Sequence, residues 1–260
     1  MQDCPPLKIT FAGTGTSSGV PMIGCHCEVC TSDDARDKRL RSSIIVQSEK
    51  TTLVIDTTPD FRYQMLRTKT EKLDAVVFTH PHKDHIAGLD DIRAYNYFQG
   101  TEIDVYANQL TQEGLKREFA YIFQEHKYPG IPEIRLHNIG DEVFYAGNIP
   151  LQPLPVWHLR MPVLGFRMGK FAYITDANRI DDATFELLQG LDILVLNALR
   201  KEEHISHFTL YEAIDVADKC GAKQCYFTHL SHQMGLHAGL LRELPPHRLP
   251  AYDGMQIFVN

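Results

Sequence analysis

The chain contains the stretch Thr79-His80-Pro81-His82-Lys83-Asp84-His85, which decides the prediction of its fold. This stretch places three histidines and one aspartate within six residues. It directly follows Ala75-Val76-Val77-Phe78, an apolar run that is typical of a buried strand. Ligands at the end of a buried strand have a rigid support and lie beside a loop that opens to solvent. The pattern therefore predicts a functional site at a strand end.

The spacing of these four side chains favours a metal site. Alternate side chains of an extended segment point the same way, so His80, His82 and Asp84 lie on one side. His85 precedes a helix that is predicted over residues 86–98 and can turn toward the same pocket. Imidazole and carboxylate ligands at this density suit first-row divalent metals. A chance cluster of surface histidines is the alternative, and the position directly after an apolar strand argues against it.

Length and composition bound the class of protein. A hydrophobic fraction of 43% over 260 residues is enough for one large core, and α/β folds of this size often form a single domain. We therefore expect residues 1–260 to form one domain. No apolar run approaches the roughly 18 residues that a membrane-spanning helix needs. Residues 1–6 lack the basic start and the apolar core of a secretory signal, so we expect a cytoplasmic location and no membrane partner.

Charge and cysteine content narrow the set of partners. The net charge of −7 argues against a general nucleic-acid binder, which would carry a basic stripe. It does not exclude an anionic substrate, because bound metal ions are not counted in it. Six cysteines in a reducing compartment indicate metal ligands or free thiols rather than disulfides. Cys4, Cys220 and Cys225 lie far in sequence from the other three cysteines, and we interpret them as ordinary buried or surface thiols.

Strand-like and helix-like segments occur in both halves of the chain, which predicts two packed sheets with helices outside them. Strands are predicted over residues 8–12, 42–47, 52–56, 74–79, 103–107, 143–144, 151–156, 165–168, 171–175, 193–196, 224–228 and 256–259. Helices are predicted over residues 61–68, 86–98, 110–124, 182–189 and 210–220. The turn-forming residues 13–19 resemble a phosphate-binding glycine loop, but no Gly-Lys-Ser/Thr motif and no helical pattern follow them.

Four further residues of ligand type follow apolar runs that we predict to be strands. They are Asp56, His158, Asp176 and His229. A single histidine or aspartate at a strand end is more often an ordinary polar group of a loop. The recurrence carries the argument, because functional groups collect where strands stop and loops begin.

A second metal motif lies near the N-terminus, where Cys25, Cys27 and Cys30 form a C-x-C-x-x-C pattern. Three thiolates within six residues can surround one tetrahedral zinc ion, which needs a fourth ligand. His232 is the candidate, since it lies three residues after His229; His26 is a poorer choice. A redox role of the thiols is the alternative.

The ligand-type residues resemble the signature of the metallo-β-lactamase superfamily. This resemblance implies an αββα sandwich of two mixed β-sheets, with a site for two metal ions at one edge. It assigns one ion to three residues, which are His80, His82 and His158. It assigns the second ion to another three, which are Asp84, His85 and His229. Asp176 would bridge the ions, whereas Asp56 would order the loop without ligating.

The cysteine motif narrows the resemblance to the PhnP-like cyclic phosphodiesterases. Residues 13–21, the pair Ser206-His207, residues 228–233 and residues 252–255 are also similar to that branch. The resemblance implies a structural zinc ion on Cys25, Cys27, Cys30 and His232, and it implies His207 as a catalytic acid. PqqB-like proteins share such a cysteine cluster but usually lack the full dinuclear set. The segment between His158 and Asp176 looks shorter than in PhnP.

These residues predict hydrolysis of phosphate esters. Two divalent ions bring +4 and Asp84 with Asp176 returns −2, so a site of about +2 attracts an anionic ester. Metal coordination lowers the pKa of water from 15.7 to about 7, which predicts a metal-bridging hydroxide as the nucleophile. The leaving alkoxide needs a proton, which an imidazole can supply. We therefore predict that His207, as proton donor, and Asp84 are the catalytic residues. The alternative for His207 is that it is an ordinary surface histidine.

The predicted substrates are small cyclic phosphates or nucleotides, and three alternatives stay open. They are an RNA 3′-processing nuclease like tRNase Z, a thioester or lactone hydrolase, and a non-catalytic metal-binding protein. The tRNase Z family carries a long arm for tRNA, and the sequence shows no Gly- or Lys-rich insertion of that kind. Ligand type allows zinc, manganese or iron at the paired site, where the resemblance suggests manganese. The resemblance to the PhnP-like branch also implies that a homodimer is an alternative to a monomer.

Overall fold

The computed structural model describes residues 4–124 and 128–260. These residues form fourteen strands, with helices interspersed among them. The strands are β1 (Leu7–Gly13), β2 (Ser43–Gln47), β3 (Thr52–Ile55), β4 (Ala75–Val77), β5 (Ile103–Ala107), β6 (Ile134–Asn138), β7 (Phe144–Ala146), β8 (Ile149–His158), β9 (Met161–Met168), β10 (Phe171–Ile174), β11 (Ile193–Asn197), β12 (Gln224–Thr228), β13 (Arg248–Pro250) and β14 (Gln256–Val259).

The strands form two sheets of seven strands each. The first has the order β14-β1-β2-β3-β4-β5-β6, and the second has the order β13-β12-β11-β10-β9-β8-β7. In the first sheet β3 to β6 are parallel, while β14, β1, β2 and β3 pair antiparallel. In the second sheet β10 to β13 are parallel, while β7 to β10 pair antiparallel. Both sheets are therefore mixed, as predicted.

The described residues also form eight α-helices, most of which cover the outer faces of the two sheets. They are α1 (Glu28–Thr31), α2 (Phe61–Thr68), α3 (Lys83–Ile86), α4 (Arg93–Gln99), α5 (Gln109–Glu118), α6 (Asp182–Leu187), α7 (Leu210–Cys220) and α8 (His237–Glu243). Within the described ranges, no helix combines the length and the apolar character that crossing a bilayer requires.

Three apolar layers hold these elements together. The central layer joins the inner faces of the two sheets and includes Ile9 and Val46 from the first and Phe166, Tyr173 and Val195 from the second. A second layer packs α2, α4 and α5 on the first sheet, and a third packs α6, α7 and α8 on the second. Burying apolar surface on both faces of each sheet stabilises the fold by roughly 25 cal/mol per Å². The αββα sandwich is thus confirmed.

The predicted helix over residues 86–98 is wrong as a single element. The chain instead forms α3, a 3₁₀ turn over Leu89–Ile92, and α4. Gly88 explains the break, because its amide donates to the carbonyl of Thr57 and a Cβ atom there would lie 2.1 Å from the carbonyl oxygen of Thr58. The close approach of the two backbones, which only glycine allows, forces the chain to turn.

Other differences lie at edges and ends. The helix predicted over residues 110–124 ends at Glu118, where Phe119 leaves helical geometry and a 3₁₀ turn follows. The prediction omitted β6 and β13, which are sheet edges with mixed burial, and the short helices α1 and α8. Strand β6 alternates apolar and polar residues, a signal that the prediction overlooked, whereas β13 is too short to show a pattern. That residues 1–260 form one domain stays a prediction.

Candidate metal centres

The two sheets bring their strand ends to one edge of the sandwich. Asp56 follows β3, and the His80–His85 stretch follows β4, its parallel neighbour. In the second sheet His158 ends β8, Asp176 follows β10 and His229 follows β12. Strands β8, β10 and β12 run in the same direction, because β9 is antiparallel to both of its neighbours. Carboxyl ends of parallel strands meet at one edge, which is where such sheets bind ligands.

Three of these residues adopt left-handed backbone conformations without being glycine. The φ angles are 66° at Asp56, 54° at Asp176 and 57° at His229. A left-handed non-glycine residue costs roughly 1–2 kcal/mol, and such strain collects at functional sites. Each turn redirects the chain directly after a buried strand, so the side chain faces the edge instead of the core.

Asp56 orients two histidines from a fully buried position. Its Oδ1 accepts from the Thr79 amide at 2.9 Å, and its Oδ2 lies 2.8 Å from the Thr79 hydroxyl and 2.7 Å from His85 Nδ1. The Thr79 hydroxyl is in turn 2.9 Å from His80 Nδ1. Since a carboxylate accepts, these contacts favour protonated Nδ1 atoms and leave the Nε2 atoms of His80 and His85 bare for a metal.

Asp176 stands between two groups of potential ligands. Its Oδ1 lies 3.0 Å from His229 Nδ1 and 3.4 Å from His85 Nε2. Its Oδ2 lies 3.8 Å from His80 Nε2 and 3.3 Å from His207 Nε2. One carboxylate oxygen therefore faces each group, which is the arrangement that a bridging ligand needs.

The remaining predicted ligands lie beside the same two groups. Asp84 Oδ2 is 3.3 Å from His85 Nε2, on the Oδ1 side of Asp176. The ring of His82 lies 5.2 Å from that of His158, and His82 Nδ1 is 3.2 Å from His80 Nε2. His158 Nδ1 donates to the carbonyl of Ser206 at 2.8 Å, which frees its Nε2. The structure thus brings together all seven residues that the sequence predicts for the paired site.

Two buried nitrogen atoms test whether metal ions fit these groups. Among the described residues, His85 Nε2 and His229 Nδ1 have no hydrogen-bond partner, although carboxylate oxygens lie close to both. An unpaired buried polar atom costs about 1–3 kcal/mol unless a ligand satisfies it. Burial lowers the pKa of His229 to about 4 and holds the pKa of His80 well below its ordinary value, so both are neutral. Neutral imidazoles with bare nitrogens beside carboxylates fit divalent metal ions.

The electrostatics around His85 differ from those around the other histidines. Burial alone would lower its pKa, but the carboxylates of Asp176, Asp84 and Asp56 raise that pKa well above its ordinary value. Three carboxylates close to one buried imidazole are an excess of negative charge. A divalent cation would balance this charge, which again favours a metal site.

His207 lies inside the same cluster and is only 9% exposed. Its ring stacks on that of His229 at 4.9 Å and lies 4.6 Å from the ring of His158. Its Nδ1 lies 3.1 Å from the Ser206 hydroxyl and 3.2 Å from His204 Nδ1. His207 can therefore serve as a ligand or as a proton donor. The contact with His204 was missed, because nothing in the sequence pattern distinguishes His204 from a surface histidine.

The cysteine motif and His232 form a separate cluster. Sulfur atoms of Cys25 and Cys27 lie 3.2 and 3.4 Å from His232 Nδ1, and the Cys30 sulfur lies within the same group. Cys27 caps α1, and a hydrogen bond from the Cys30 backbone, followed by one from His232, lowers the pKa of Cys27 to about 6. All six cysteines are free thiols. Three sulfurs and one imidazole fit a tetrahedral zinc ion.

Two arginines near the strand ends already have partners within the protein. The Arg179 guanidinium lies 4.5 Å from the centre of the Trp157 ring and 3.3 Å from Asp181. Arg200 donates to two backbone carbonyls and to the Gln233 side chain. A cavity of about 710 Å³ lies elsewhere, between α2 and α4. Among the described residues that line it, none is a histidine or a cysteine, so we place the chemistry at the strand ends.

Comparisons with a family model and with solved structures identify the same family. A family model described as a beta-lactamase superfamily domain matches residues 51–230. A solved structure described as a new diphosphatase from the PhnP family shares 42% sequence identity, with a TM-score of 0.92 over 99% of this chain and 98% of that one.

Two curated proteins are also similar. The octanoyltransferase of Porphyromonas gingivalis is 37% identical over 257 residues, which is 98% of this chain. The match covers 52% of that protein, so the chain spans about half the length of this relative. A ribonuclease Z of Anoxybacillus flavithermus is 23% identical over 284 residues, covering 86% of this chain and 87% of that protein.

The matched family model covers most of the chain, including every residue of the paired site. The PhnP-family relative extends the match to both ends and therefore also to the cysteine motif. The fold implies divalent metal ions, in agreement with the bare nitrogens of the site. The chain belongs to the metallo-β-lactamase superfamily of metal-dependent hydrolases, in its PhnP-like branch.

Proposed function

We propose that the chain is a phosphodiesterase that acts on small cyclic phosphates or nucleotides. The observation that carries this proposal is the position of Asp176, with one oxygen toward each ligand group and His207 beside the second oxygen. Such a centre suits a phosphate ester, which two cations and one proton donor can hold and cleave. The 42% identical relative, described as a PhnP-family diphosphatase, supports chemistry at phosphorus.

The paired site would hold two divalent ions, manganese or zinc. The residues that would hold them are His80, His82, Asp84, His85, His158, Asp176 and His229. When bound, the ions would polarise the phosphoryl group and lower the pKa of water to about 7. The protein itself fixes the ligands: Asp56 holds His85, Thr79 holds His80, and the Ser206 carbonyl holds His158.

His207 would give the leaving oxygen its proton. Its Nε2 faces Asp176, whereas its Nδ1 contacts Ser206 and His204 on the opposite side of the ring. The Nε2 atom therefore points into the cluster, and the contacts of Nδ1 fix the orientation of the ring. General acid catalysis contributes about 10²- to 10⁴-fold, and most where the leaving group is a poor one.

Turnover of chromogenic and natural esters tests this function. The purified chain, with manganese or zinc added, should hydrolyse bis-p-nitrophenyl phosphate and members of a panel of cyclic phosphates and nucleotide diesters. The panel also includes diphosphate esters, because of the relative's description. Thioester and lactone substrates serve as controls. Turnover of those controls alone, or of none of the phosphates, would contradict the proposal.

A His207→Ala variant tests the proton donor. We expect turnover of an alkyl phosphodiester to fall about 100-fold while the metal content stays unchanged. The content is measured by inductively coupled plasma mass spectrometry on the dialysed protein. Unchanged turnover would remove the acid role, and loss of a metal ion would show that His207 is a ligand.

An RNA 3′-processing nuclease is the second candidate, because a ribonuclease Z is similar over 86% of the chain. The acidic net charge of −7 disfavours binding to a polyanion such as tRNA. Cleavage of a tRNA precursor with efficiency above that of small diesters would favour this candidate. We do not propose acyl transfer, since the octanoyltransferase match leaves about half of that protein without a counterpart in this chain.

The cysteine cluster would hold one structural zinc ion on Cys25, Cys27, Cys30 and His232. A Cys27→Ser variant should contain one zinc ion fewer and should unfold at a lower temperature, because a closed site contributes directly to folding. Cys220→Ser is the control, since Cys220 is buried far from the motif in sequence. Equal metal content in the wild type and in the Cys27 variant would contradict this assignment.

A further inference from the structure

His207 belongs to an exposed connection between β11 and α7. Residues 202 and 203 are exposed, and Ile205 is 73% exposed. Beyond them Thr209 caps α7 through a reciprocal pair of contacts with Glu212, which fixes the connection at its far end. A donor histidine on an exposed connection needs further ties, because a misplacement of about 1 Å can cost a large part of the rate.

Arg200 supplies three of these ties, beside the hydrogen bond that Asn178 Nδ2 donates to the Ile205 carbonyl at 3.0 Å. Its Nε donates to the carbonyl of Glu202 at 3.3 Å, and its Nη2 donates to the carbonyl of Glu203 at 2.7 Å. Its Nη1 donates to Gln233 Oε1 at 3.2 Å. The planar guanidinium thus joins the connection to a second segment, and a lysine could not reproduce this fork of donors.

The second segment, residues 229–233, carries one residue of each metal cluster. His229 lies at its start in the paired site, and His232 lies beside Gln233 in the cysteine cluster. The segment is itself held in place, since the Leu230 amide donates to the Thr14 carbonyl at 2.9 Å and the Ser231 amide to the Leu199 carbonyl at 3.0 Å. Arg200 therefore bonds to a segment, residues 229–233, that contributes one residue to each cluster.

The far side of the connection contacts the paired site directly. The Ser206 carbonyl orients His158, and His207 Nε2 lies 3.3 Å from Asp176 Oδ2. Residues 202 and 203, which Arg200 holds, lie only three to five residues before these contacts. A shift of the connection would move the proton donor and the carbonyl that orients His158 together.

We propose that Arg200 is a positioning residue for the hydrolysis, which holds residues 202–207 against Gln233 so that His207 faces the leaving group. This role rests on the proposed function. Direct binding of the substrate phosphate is the alternative role, for which the Arg200 guanidinium is poorly placed because three oxygen acceptors already engage it. Gln233 is the anchor of this arrangement, and the three acceptors of the Arg200 guanidinium include none of the predicted metal ligands.

The test compares Arg200→Gln with a matched control, Lys201→Gln. Lys201 is the next residue and forms an ion pair with Glu243 of α8, away from the connection. Each variant is assayed on two diesters, one with a p-nitrophenolate leaving group and one with an alkoxide. Only the alkoxide needs a proton donor, since p-nitrophenolate leaves readily without one.

We expect Arg200→Gln to lower kcat for the alkoxide ester about 10- to 100-fold and kcat for the p-nitrophenyl ester less than about threefold, with similar KM values. Metal content should stay unchanged, and amide hydrogen exchange at residues 202–207 should accelerate. Gln233→Ala should give the same pattern. Gln233→Glu, which keeps the acceptor oxygen, should retain most of the wild-type kcat for the alkoxide ester. Arg200→Lys should retain little of the wild-type kcat for the alkoxide ester.

Equal losses on both esters would show a general loss of structure and would overturn the proposal. So would unchanged hydrogen exchange at residues 202–207, or the same pattern in Lys201→Gln. If the wild type hydrolyses neither ester, the proposed function fails. The exchange measurement, which needs no turnover, then still decides whether Arg200 and Gln233 hold the connection.

Discussion

Asp56 shows how a single side chain can order a predicted metal site without being counted among its predicted ligands. It is fully buried, and its contacts with Thr79 and His85 fix the ring orientation of two predicted ligands. Such partners of metal ligands commonly change metal affinity by 10- to 100-fold when they are replaced. The left-handed backbone at Asp56 limits the useful substitutions, since only glycine, asparagine and a few other residues tolerate it.

Asp56→Asn is therefore a clean test at this scale. Asparagine accepts the same backbone conformation. It replaces one carboxylate oxygen with an NH2 group, which cannot accept a hydrogen bond from His85 or from the Thr79 hydroxyl. We expect the affinity of the paired site for zinc or manganese to fall about 10- to 100-fold, measured by competition with a chromogenic chelator. The cysteine cluster should keep its affinity and serves as an internal control. Wild-type affinity at both sites would contradict the role of Asp56.

His237 provides a test of stability against pH that is independent of the metal ligands. It is 2% exposed, its ring nitrogen Nδ1 lies 3.5 Å from Arg39, and burial lowers its pKa to about 4. The ordinary pKa near 6.5 applies to the unfolded chain. Between these values the unfolded state binds more protons than the folded state, so stability is full above pH 6.5 and falls as pH drops toward 4.

Replacing His237 with glutamine should flatten this dependence. We expect the free energy of unfolding of the wild type to fall by roughly 1–2 kcal/mol more than that of His237→Gln between pH 7 and pH 5. Urea unfolding at each pH, with both proteins in the presence of a chelator, removes the contribution of metal binding. Parallel curves for the two proteins would show that His237 does not titrate on unfolding.

At the scale of elements, α5 supports the loop that carries His80 and His82. Gly114 of α5 faces Pro81, and a Cβ atom on Gly114 would lie 2.6 Å from the Cβ atom of Pro81. The helix thus presses against the turn between two predicted ligands. Gly239 of α8 offers a matched comparison, because nothing lies within 4 Å of a Cβ atom built there.

Alanine at these two helical positions should have opposite effects. Gly239→Ala should raise the free energy of unfolding by up to about 1 kcal/mol, since alanine favours a helix over glycine. Gly114→Ala gains the same helix propensity but pushes Pro81, so we expect a net loss of stability and weaker metal binding at the paired site. Thermal unfolding and chelator competition measure both effects. A stabilised Gly114→Ala variant with wild-type affinity would show that the loop yields without cost.

The sequence predicts elements well where an apolar run ends in a polar residue. Strands β4, β10 and β12 are such runs, and the polar residues that follow them are predicted ligands. It fails where the chain bends for a tertiary reason. Gly88 breaks a helical pattern because another backbone approaches it, and the three-residue edge strand β13 is too short to show apolar alternation. Neither cause is visible in the local sequence.

At the scale of the whole molecule, the site depends on two sheets that meet at one edge. His80 and Asp176 are nearly a hundred positions apart in the chain, yet their side chains approach to 3.8 Å. Spacing alone predicts that each is a strand-end polar group, and the resemblance to a family supplied their convergence. The contacts of Arg200 with Gln233 and of His204 with His207 join distant segments or lack a motif, so no sequence pattern could predict them.

The central claim is that one carboxylate, Asp176, joins two metal positions. Anomalous X-ray diffraction from crystals of the manganese- or zinc-loaded protein tests it most directly. We predict two peaks about 3.5–4 Å apart at the paired site, one beside each oxygen of Asp176, and a third peak at the cysteine cluster. A single peak at the paired site, or two peaks of which one lies away from Asp176, would contradict the account.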